Sequence, residues 1–424
     1  MDDHQQPLLS QRDKGLPARA AGLSVAQFLA TGPRLSEFWT PLLVLSEDDL
    51  AHNLGVMADW STRHGFSLMP HGKTTMAPSL WQRQLDAGSY GITLATAGQV
   101  RVARDFGFGS IMLANALVDA RGLRFVAAEL ADPAFSFSCW ADSVETVEAM
   151  ERALHGVGLV RPLNVLVELG APGGRTGART PAEAHAVAER VRQSSVLRLA
   201  GVAGYEGCLA HDRSEPGLAA VRDYLVALLA LHTSLADEYD DKEVLLSAGG
   251  SAYFDIVDEV FNPIATPLPR TRYVLRSGAY LTHDDGFYRG ISPLDPSRLD
   301  APDPAHTLRP AMRGHARVVS RPEPGLALLD AGKRDFPYDE GLPVPLASAP
   351  DLGSTPSPLT EAYVSAMNDQ HSFLRLPAVQ ELAIGSVVTL GLSHPCTAFD
   401  KWRYIPVVEN SVSDVVVDLV RTHF

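Results

Sequence analysis

Between about residue 40 and residue 290 the chain alternates short β-rich runs with stretches of helical composition, and this alternation limits the available folds more than any single motif. Strands are expected at Phe66–Met69, Ile92–Ala95, Ser110–Ala114, Phe135–Trp140, Asn164–Leu169, Leu199–Tyr205, Val244–Ser247 and Tyr273–Arg276. Between them, Ser143–Leu154 and Pro181–Arg192 carry the Ala, Glu, Val and Arg of amphipathic helices, and Leu218–Glu238 is longer and apolar along one face. A lead-in run, Pro41–Leu45, ends at Ser46, which with Asp48 and Asp49 reads as the N-cap and acidic first turn of a helix reaching Gly65. Eight βα units in about 250 residues is the count and length of a TIM (β/α)8 barrel. The rival architecture, a doubly wound open sheet, usually opens a helix with Gly-x-Gly-x-x-Gly after its first strand, and no such element is present.

Past Ser292 the texture changes. Pro293, Pro296, Pro302 and Pro304 mark a linker, and β-type runs follow at Ala316–Ser320, Leu326–Leu329, Val387–Leu392 and Ile405–Val408. The 424 residues exceed one ordinary hydrophobic core. The expected organisation is an N-terminal segment over 1–39, partly disordered or docked on the β domain, with residues 1–22 loosely held; a barrel over 40–292; and a mostly β domain over 293–424. The proline-rich stretch Leu342–Pro358 reads as a long surface loop.

The net charge of −14 disfavours nucleic acid or an anionic membrane as partner, so any anionic ligand must be held by local groups. Three cysteines, Cys139, Cys208 and Cys396, are odd in number and far apart, which suits a reducing compartment. No apolar run approaches membrane-spanning length, and Met1-Asp2-Asp3-His4 lacks the basic start of a secretory signal. A cytoplasmic protein is expected.

The chemistry gathers at predicted strand ends, where a TIM barrel builds its active site. Lys73, in Met69-Pro70-His71-Gly72-Lys73-Thr74-Thr75, follows the first strand; a lone lysine there would ordinarily be a surface residue. After strand seven come Ser247, Gly249, Gly250 and Ser251, whose glycines let backbone N–H groups approach an anion while Ser251 adds a hydroxyl. After strand eight come Arg276, Ser277, Gly278 and Tyr280, a second turn of small residues that can close around a phosphate. A cofactor gripped by its phosphate on these two loops would present an aldehyde to Lys73, which is the requirement of a pyridoxal 5'-phosphate enzyme. His71 lies two residues before Lys73 and either packs on the cofactor ring or plays a structural part.

On these residues the chain resembles the fold-type III pyridoxal-phosphate enzymes, in particular the alanine-racemase-like branch that holds D-serine dehydratase, D-threonine aldolase and related enzymes of D-3-hydroxy-amino acids. The resemblance runs from about Thr40 onward. It implies that Pro70, His71, Lys73 and Thr74 are the Pro-His-x-Lys-Thr motif of the cofactor lysine, although Thr75-Met76 stands where the family often has His-Lys. It implies that Arg175, in Gly173-Gly174-Arg175-Thr176-Gly177, lies near the cofactor's phenolic oxygen, that Tyr205 flanks the ring, and that Arg276 faces the pyridine nitrogen. Lys73, Arg175 and Tyr205 are then the expected catalytic residues.

His394 and Cys396 project to one face of an extended backbone, so imidazole and thiolate can reach one metal ion. The resemblance makes this a divalent metal site; dehydratases of the branch resemble this His-x-Cys form and aldolases carry His-x-Asp. A soft thiolate favours Zn2+. Asp400 is a candidate outer partner, and Gln370-His371 resembles an acidic-His element of the family with Gln in place of Glu. The resulting expectation is a zinc-dependent dehydratase that turns a small D-3-hydroxy-amino acid into a 2-oxo acid and ammonia, working as a homodimer. The alternatives are a metal-dependent D-threonine-type aldolase and a non-catalytic pyridoxal-phosphate carrier.

Overall fold

The computed structural model describes residues 7–239, 241–298, 300–377, 380 and 382–424. After the short helix Val25–Leu29, the strands run in order β1 (Leu42–Ser46), β2 (Ser67–Leu68), β3 (Ile92–Leu94), β4 (Ser110–Ala116), β5 (Ser136–Ala141), β6 (Leu163–Leu169), β7 (Leu197–Gly204), β8 (Val244–Ala248) and β9 (Thr271–Leu275). β2 to β9 form one eight-stranded sheet in the order β2-β9-β8-β7-β6-β5-β4-β3, with every neighbouring pair parallel. Its two ends meet. Tyr90 N–H donates to Leu68 O at 2.7 Å, Thr93 N–H donates to Pro70 O at 2.9 Å, and His71 forms a parallel bridge with Thr93. The closing strand is short because Pro70 has no N–H to give the ladder, so its carbonyl alone is used.

A small inward cluster of Met69, Met112, Trp140, Leu166, Ala200, Ala203 and Val274 fills the barrel, while a larger apolar layer packs the strands against the surrounding helices. Both faces of each strand are therefore covered, which is why these strands read as near-continuous apolar runs. β7 carries Gly201 where it approaches β8 most closely; a Cβ there would stand 2.0 Å from Leu245 O. The helices start as their sequences dictate. Ser143 caps Val144–Leu154 by accepting from Thr146 N–H, and Thr180 makes a reciprocal capping box with Glu183 ahead of Pro181–Arg192. The long helix runs Glu215–Ser234. Ser46 precedes helix Glu47–Arg63 as expected, but its hydroxyl donates to Asp49 Oδ2 at 2.7 Å rather than capping a backbone N–H.

The second sheet joins β1 to β10 (Met312–Glu323), β11 (Leu326–Leu329), β12 (Val344–Ala349), β13 (Ser357–Pro358), β14 (Tyr363–Met367), β15 (Ser372–Arg375), β16 (Val387–Gly391), β17 (Tyr404–Val408) and β18 (Val416–Arg421). β1 lies between β10, to which it is antiparallel, and β17, to which it is parallel. By number β1 falls inside 40–292, yet by hydrogen bonding it belongs to the C-terminal sheet; the chain crosses that domain before it enters the barrel. The stretch Leu342–Pro358 is not a loop throughout. It contains β12, paired along β16, and its Pro345 sits at a register shift where the ladder needs no donor. Residues 1–6 lie outside the described residues, but from residue 7 the N-terminal segment is firmly docked on the β domain. Leu9, Leu16, Phe28, Leu35 and Phe38 are buried, and Lys14 lies 2.6 Å from Asp335 and over the Trp402 ring. Among the described residues no helix is long and apolar enough to cross a membrane.

Candidate active site

The C-terminal ends of the barrel strands open into a cleft of about 420 Å³, closed on one side by the turn that carries His394 and Cys396. Lys73 enters it from the turn Gly72–Thr74 that follows the Pro70 break. That turn is pinned from behind: Trp81 Nε1 donates to Gly72 O at 3.0 Å, and a Cβ on Gly72 would come within 2.7 Å of Ile92 and 2.8 Å of Trp81. His71 N–H donates to Arg276 O, and Arg276 N–H to Gly249 O, so the lysine turn, the end of β9 and the end of β8 form one hydrogen-bonded rim. Thr74 then meets the β domain, with its hydroxyl 3.2 Å from Cys396 Sγ.

Arg276 lies buried across the cleft floor. Its two terminal nitrogens donate to Ser247 Oγ and Gly204 O, and its guanidinium lies 4.8 Å from the Trp140 ring centroid. Burial pushes its pKa down, opposed chiefly by the charge of Glu206. Arg175 reaches in from an exposed loop and stands 4.9 Å from the Tyr205 ring centroid. The Tyr205 hydroxyl is pushed up to about 12 by burial and by Glu206. His71 is held well below the usual imidazole range by burial and by Lys73, Arg276 and Arg175, so it is neutral. Three buried polar atoms around this floor, His71 Nδ1, Trp140 Nε1 and Arg276 Nε, have no hydrogen-bond partner among the described residues. Orphans of this kind are expensive unless a ligand completes them, and a polar, ring-shaped group fits them.

The phosphate end is built differently from the sequence expectation. Gly249 N–H donates to Glu206 Oε2 at 3.0 Å and Gly250 N–H to Glu206 Oε1 at 2.7 Å, so both amides of the Gly-Gly pair are already taken. Gly250, Ser251, Gly278 and Ala279 line the cleft. Among the described residues the amides of Ser251 and Gly278 donate to no protein acceptor, which leaves them for an anion. Four residues of the expected cofactor set do not line it. Ser247 is fully buried against Arg276 and Val274 O, Gly249 is turned to Glu206, Ser277 Oγ donates to Gly250 O at 2.8 Å, and Tyr280 is buried with its hydroxyl accepting from Gln84 Nε2 at 3.1 Å. The short turn Ala279–Leu281 sends Tyr280 back toward helix Pro78–Asp86. Tyr288 lines the cleft beside Ser251 instead. It is held by Asp284, whose Oδ1 accepts from Tyr288 N–H and Gly286 N–H; burial pushes the Asp284 carboxyl up to about 8. Glu206, Tyr288 and Asp284 carry no local motif, so nothing in the sequence singled them out.

His394 precedes the turn Pro395–Thr397 and Cys396 lies within it, so the two side chains are brought to the cleft by a tight turn that starts at Pro395 and not by the extended backbone expected from the sequence. Asp339 fixes this turn: its Oδ2 lies 2.7 Å from His394 Nδ1 and its Oδ1 accepts from Thr397 Oγ1 at 2.6 Å. Burial works against a charged imidazole, but the thiol of Cys396 and the carboxylate of Asp339 outweigh it and raise His394 to about 9. In turn His394 lowers the Cys396 thiol despite its burial. Where a metal takes the place of the Nε2 proton, a histidine whose Nδ1 is held by a carboxylate presents Nε2 as its ligating atom, the usual arrangement of a metal-bound imidazole. With the thiolate beside it, the donor set fits zinc. Asp400 instead pairs with Lys401, and Gln370 donates to Asp335 at the β14–β15 turn, so neither Asp400 nor Gln370-His371 lines the cleft.

Residues 45–259 match the family model described as "Alanine racemase, N-terminal domain", and residues 311–408 match the one described as "Putative serine dehydratase domain". The chain is 26% identical over 402 residues to a D-threonine aldolase of Arthrobacter sp, covering 94% of this chain and 96% of that protein. The crystal structure of D-threonine aldolase from Filomicrobium marinum is similar with a TM-score of 0.76 at 23% identity, over 92% of this chain and 97% of that one. D-threo-3-hydroxyaspartate dehydratase from Delftia sp. HT23 is similar with a TM-score of 0.72 at 19% identity, over 92% of this chain and 99% of that one.

Proposed function

Because the chain belongs to the alanine racemase N-terminal domain family, within the fold-type III pyridoxal-phosphate enzymes, we propose that it is a zinc-dependent dehydratase converting a D-3-hydroxy-amino acid to a 2-oxo acid and ammonia. The observation that carries this reading is the pairing of His394 with Cys396 at the cleft, against the turn that holds Lys73. A thiolate and an imidazole oriented by Asp339 make a soft donor pair. With two protein donors, open coordination positions remain for substrate.

When bound, pyridoxal phosphate supplies an electron sink for charge at the substrate Cα, and zinc supplies a Lewis acid for the β-hydroxyl. His394 Nε2 and Cys396 Sγ would hold the metal. Ser251 and Gly278 would take the phosphate, with Tyr288 closing over Ser251. Arg276 Nε, deep in the floor, would meet the ring nitrogen, His71 and Tyr205 would flank the ring, and Arg175 would approach the phenolic oxygen. The Lys73 amine would hold the cofactor and, when freed, would take the substrate α-proton as general base. The pinned Gly72 turn holds that amine on one side of the cleft and Thr74 holds the thiol side, so proton removal and hydroxyl departure are served from fixed positions. The β-hydroxyl leaves as water, a second water is taken up as ammonia is released, and a 2-oxo acid results.

One observation favours a second reading: the relative matched over 94% of this chain is a D-threonine aldolase. In that case the Cα–Cβ bond breaks and the products are glycine and an aldehyde. Supplying D-serine and D-threonine and assaying 2-oxo acid with ammonia against glycine with aldehyde tells the two apart. We further propose a homodimer, checked by light scattering on the eluting protein. The three free cysteines suit a reducing cytoplasm.

A further inference from the structure

The turns that follow β7 and β8 are joined by one carboxylate. Glu206 is fully buried and accepts from two consecutive amides, Gly249 N–H and Gly250 N–H. Gly249 has φ +85°, a conformation costly for any side chain but glycine, and it lets both amides converge on the same acceptor. Paired amides of this kind make an anion cradle, and here the protein fills the cradle itself.

We propose that Glu206 is a positioning residue for the cofactor phosphate: by holding Gly249 and Gly250 it fixes the β8 turn so that the phosphate is met by Ser251 and Gly278. The inference rests on the pyridoxal-phosphate reading above. The path from the carboxylate to the phosphate amides is short. Glu206 fixes Gly250 N–H, Gly250 O accepts from Ser277 Oγ, Ser277 precedes Gly278, and Ser251 Oγ accepts from Ala279 N–H. Both turns are thus set by one group. The ring of Tyr205 lies over the same spot, since a Cβ on Gly250 would stand 2.9 Å from Tyr205 Cε2. Glu206 also provides the largest charge that opposes the burial of Arg276. Without that carboxylate the Gly-Gly amides are freed, the β8 turn loses its anchor, and the phosphate amides lose their common frame.

The test compares wild type and E206Q, stripped of cofactor, in titrations with pyridoxal 5'-phosphate and with pyridoxal, which has no phosphate. Glutamine offers an acceptor to one glycine amide and a donor to the other, so one bond is lost. The expected result is about tenfold or greater weakening for pyridoxal 5'-phosphate with pyridoxal changed less than about twofold. Equal weakening for both, or no change for either, overturns the proposal. A wild type that takes up neither compound removes the cofactor reading itself, and the inference with it. Should E206Q not fold, amide exchange on the wild type decides: pyridoxal 5'-phosphate should slow exchange at Ser251 and Gly278 and leave Gly249 and Gly250 as they were. New protection at Gly249 and Gly250 would overturn the proposal.

Discussion

The hydroxyl of Thr74 lies 3.2 Å from the thiol of Cys396, although 322 residues separate them in sequence. This contact ties the turn of Lys73 on the barrel to the proposed metal turn on the β domain. A substrate in the cleft is therefore exposed to both at once.

Lys73→Ala should abolish the visible absorbance of a lysine-bound cofactor and reduce turnover by roughly 10²–10⁴-fold or more, the span of a lost general base. Absorbance spectra and steady-state rates on the reconstituted variant check this. A variant that keeps both the absorbance and the rate would remove Lys73 from the site.

Asp339 has no place of its own in the cleft, yet it orients His394. Asp339→Asn should weaken zinc binding by about 10–100-fold, the usual effect of losing an outer partner of a histidine ligand. Cys396→Ala should lower the zinc content of the purified protein directly. Metal analysis at controlled free zinc reads both, and equal zinc in wild type and Cys396→Ala would contradict the assignment.

The two tyrosines near β9 should part company. Tyr288→Phe should weaken pyridoxal 5'-phosphate, whereas Tyr280→Phe should leave its affinity unchanged and cost about 1 kcal/mol of stability, because Gln84 loses its buried partner. Cofactor titration and urea unfolding separate the two effects.

Gly72→Ala forces a methyl toward Ile92 and the Trp81 indole. Overpacking of this kind costs about 1–3 kcal/mol. Because the same turn carries Lys73, the rate should fall even in the fully folded population. Urea unfolding and turnover at saturating substrate measure the two losses independently.

Two buried histidines should each withdraw stability as pH falls from about 6.5 toward about 4. Burial holds His232 and His315 down to about 4, against an ordinary 6.5. At these two sites the unfolded chain binds more protons than the folded one between those values, so their contribution to stability is full above about 6.5 and is lost as pH falls toward 4, while Asp284, raised to about 8, and His394, raised to about 9, act in the opposite sense. His232, bonded to Thr271 and Tyr239, accounts for up to roughly 3 kcal/mol of this. Melting temperature as a function of pH should therefore fall less steeply in His232→Gln; an unchanged slope would contradict the assignment.

The barrel was legible because its strands are covered on both faces and so write themselves as apolar runs. The β domain was less so. β14 and β18 mix buried with exposed positions in short strands, β15 is only four residues long, and the prolines around β12 hide a strand that a register shift makes possible. β1 has an obvious strand sequence, but its partners β10 and β17 lie at the other end of the chain, and no local pattern encodes such a pairing. The site divides in the same way. Lys73, Arg175, Arg276, His394 and Cys396 sit in short motifs at strand ends or turns, whereas Glu206, Asp339, Asp284 and Tyr288 act through contacts made by folding. The Gly249–Gly250 pair looked like a phosphate cradle because its amides do converge; the sequence does not say that a glutamate fills it.

In the proposed reaction Lys73 and the His394–Cys396 pair act together in one dehydration. Its most direct measurement is 2-oxo acid and ammonia formation from D-serine and D-threonine by metal-stripped, cofactor-loaded protein before and after zinc is restored. Zinc should restore equal amounts of both products in the wild type and neither in Cys396→Ala. Glycine and an aldehyde in their place, or dehydration that proceeds equally without metal, would contradict it.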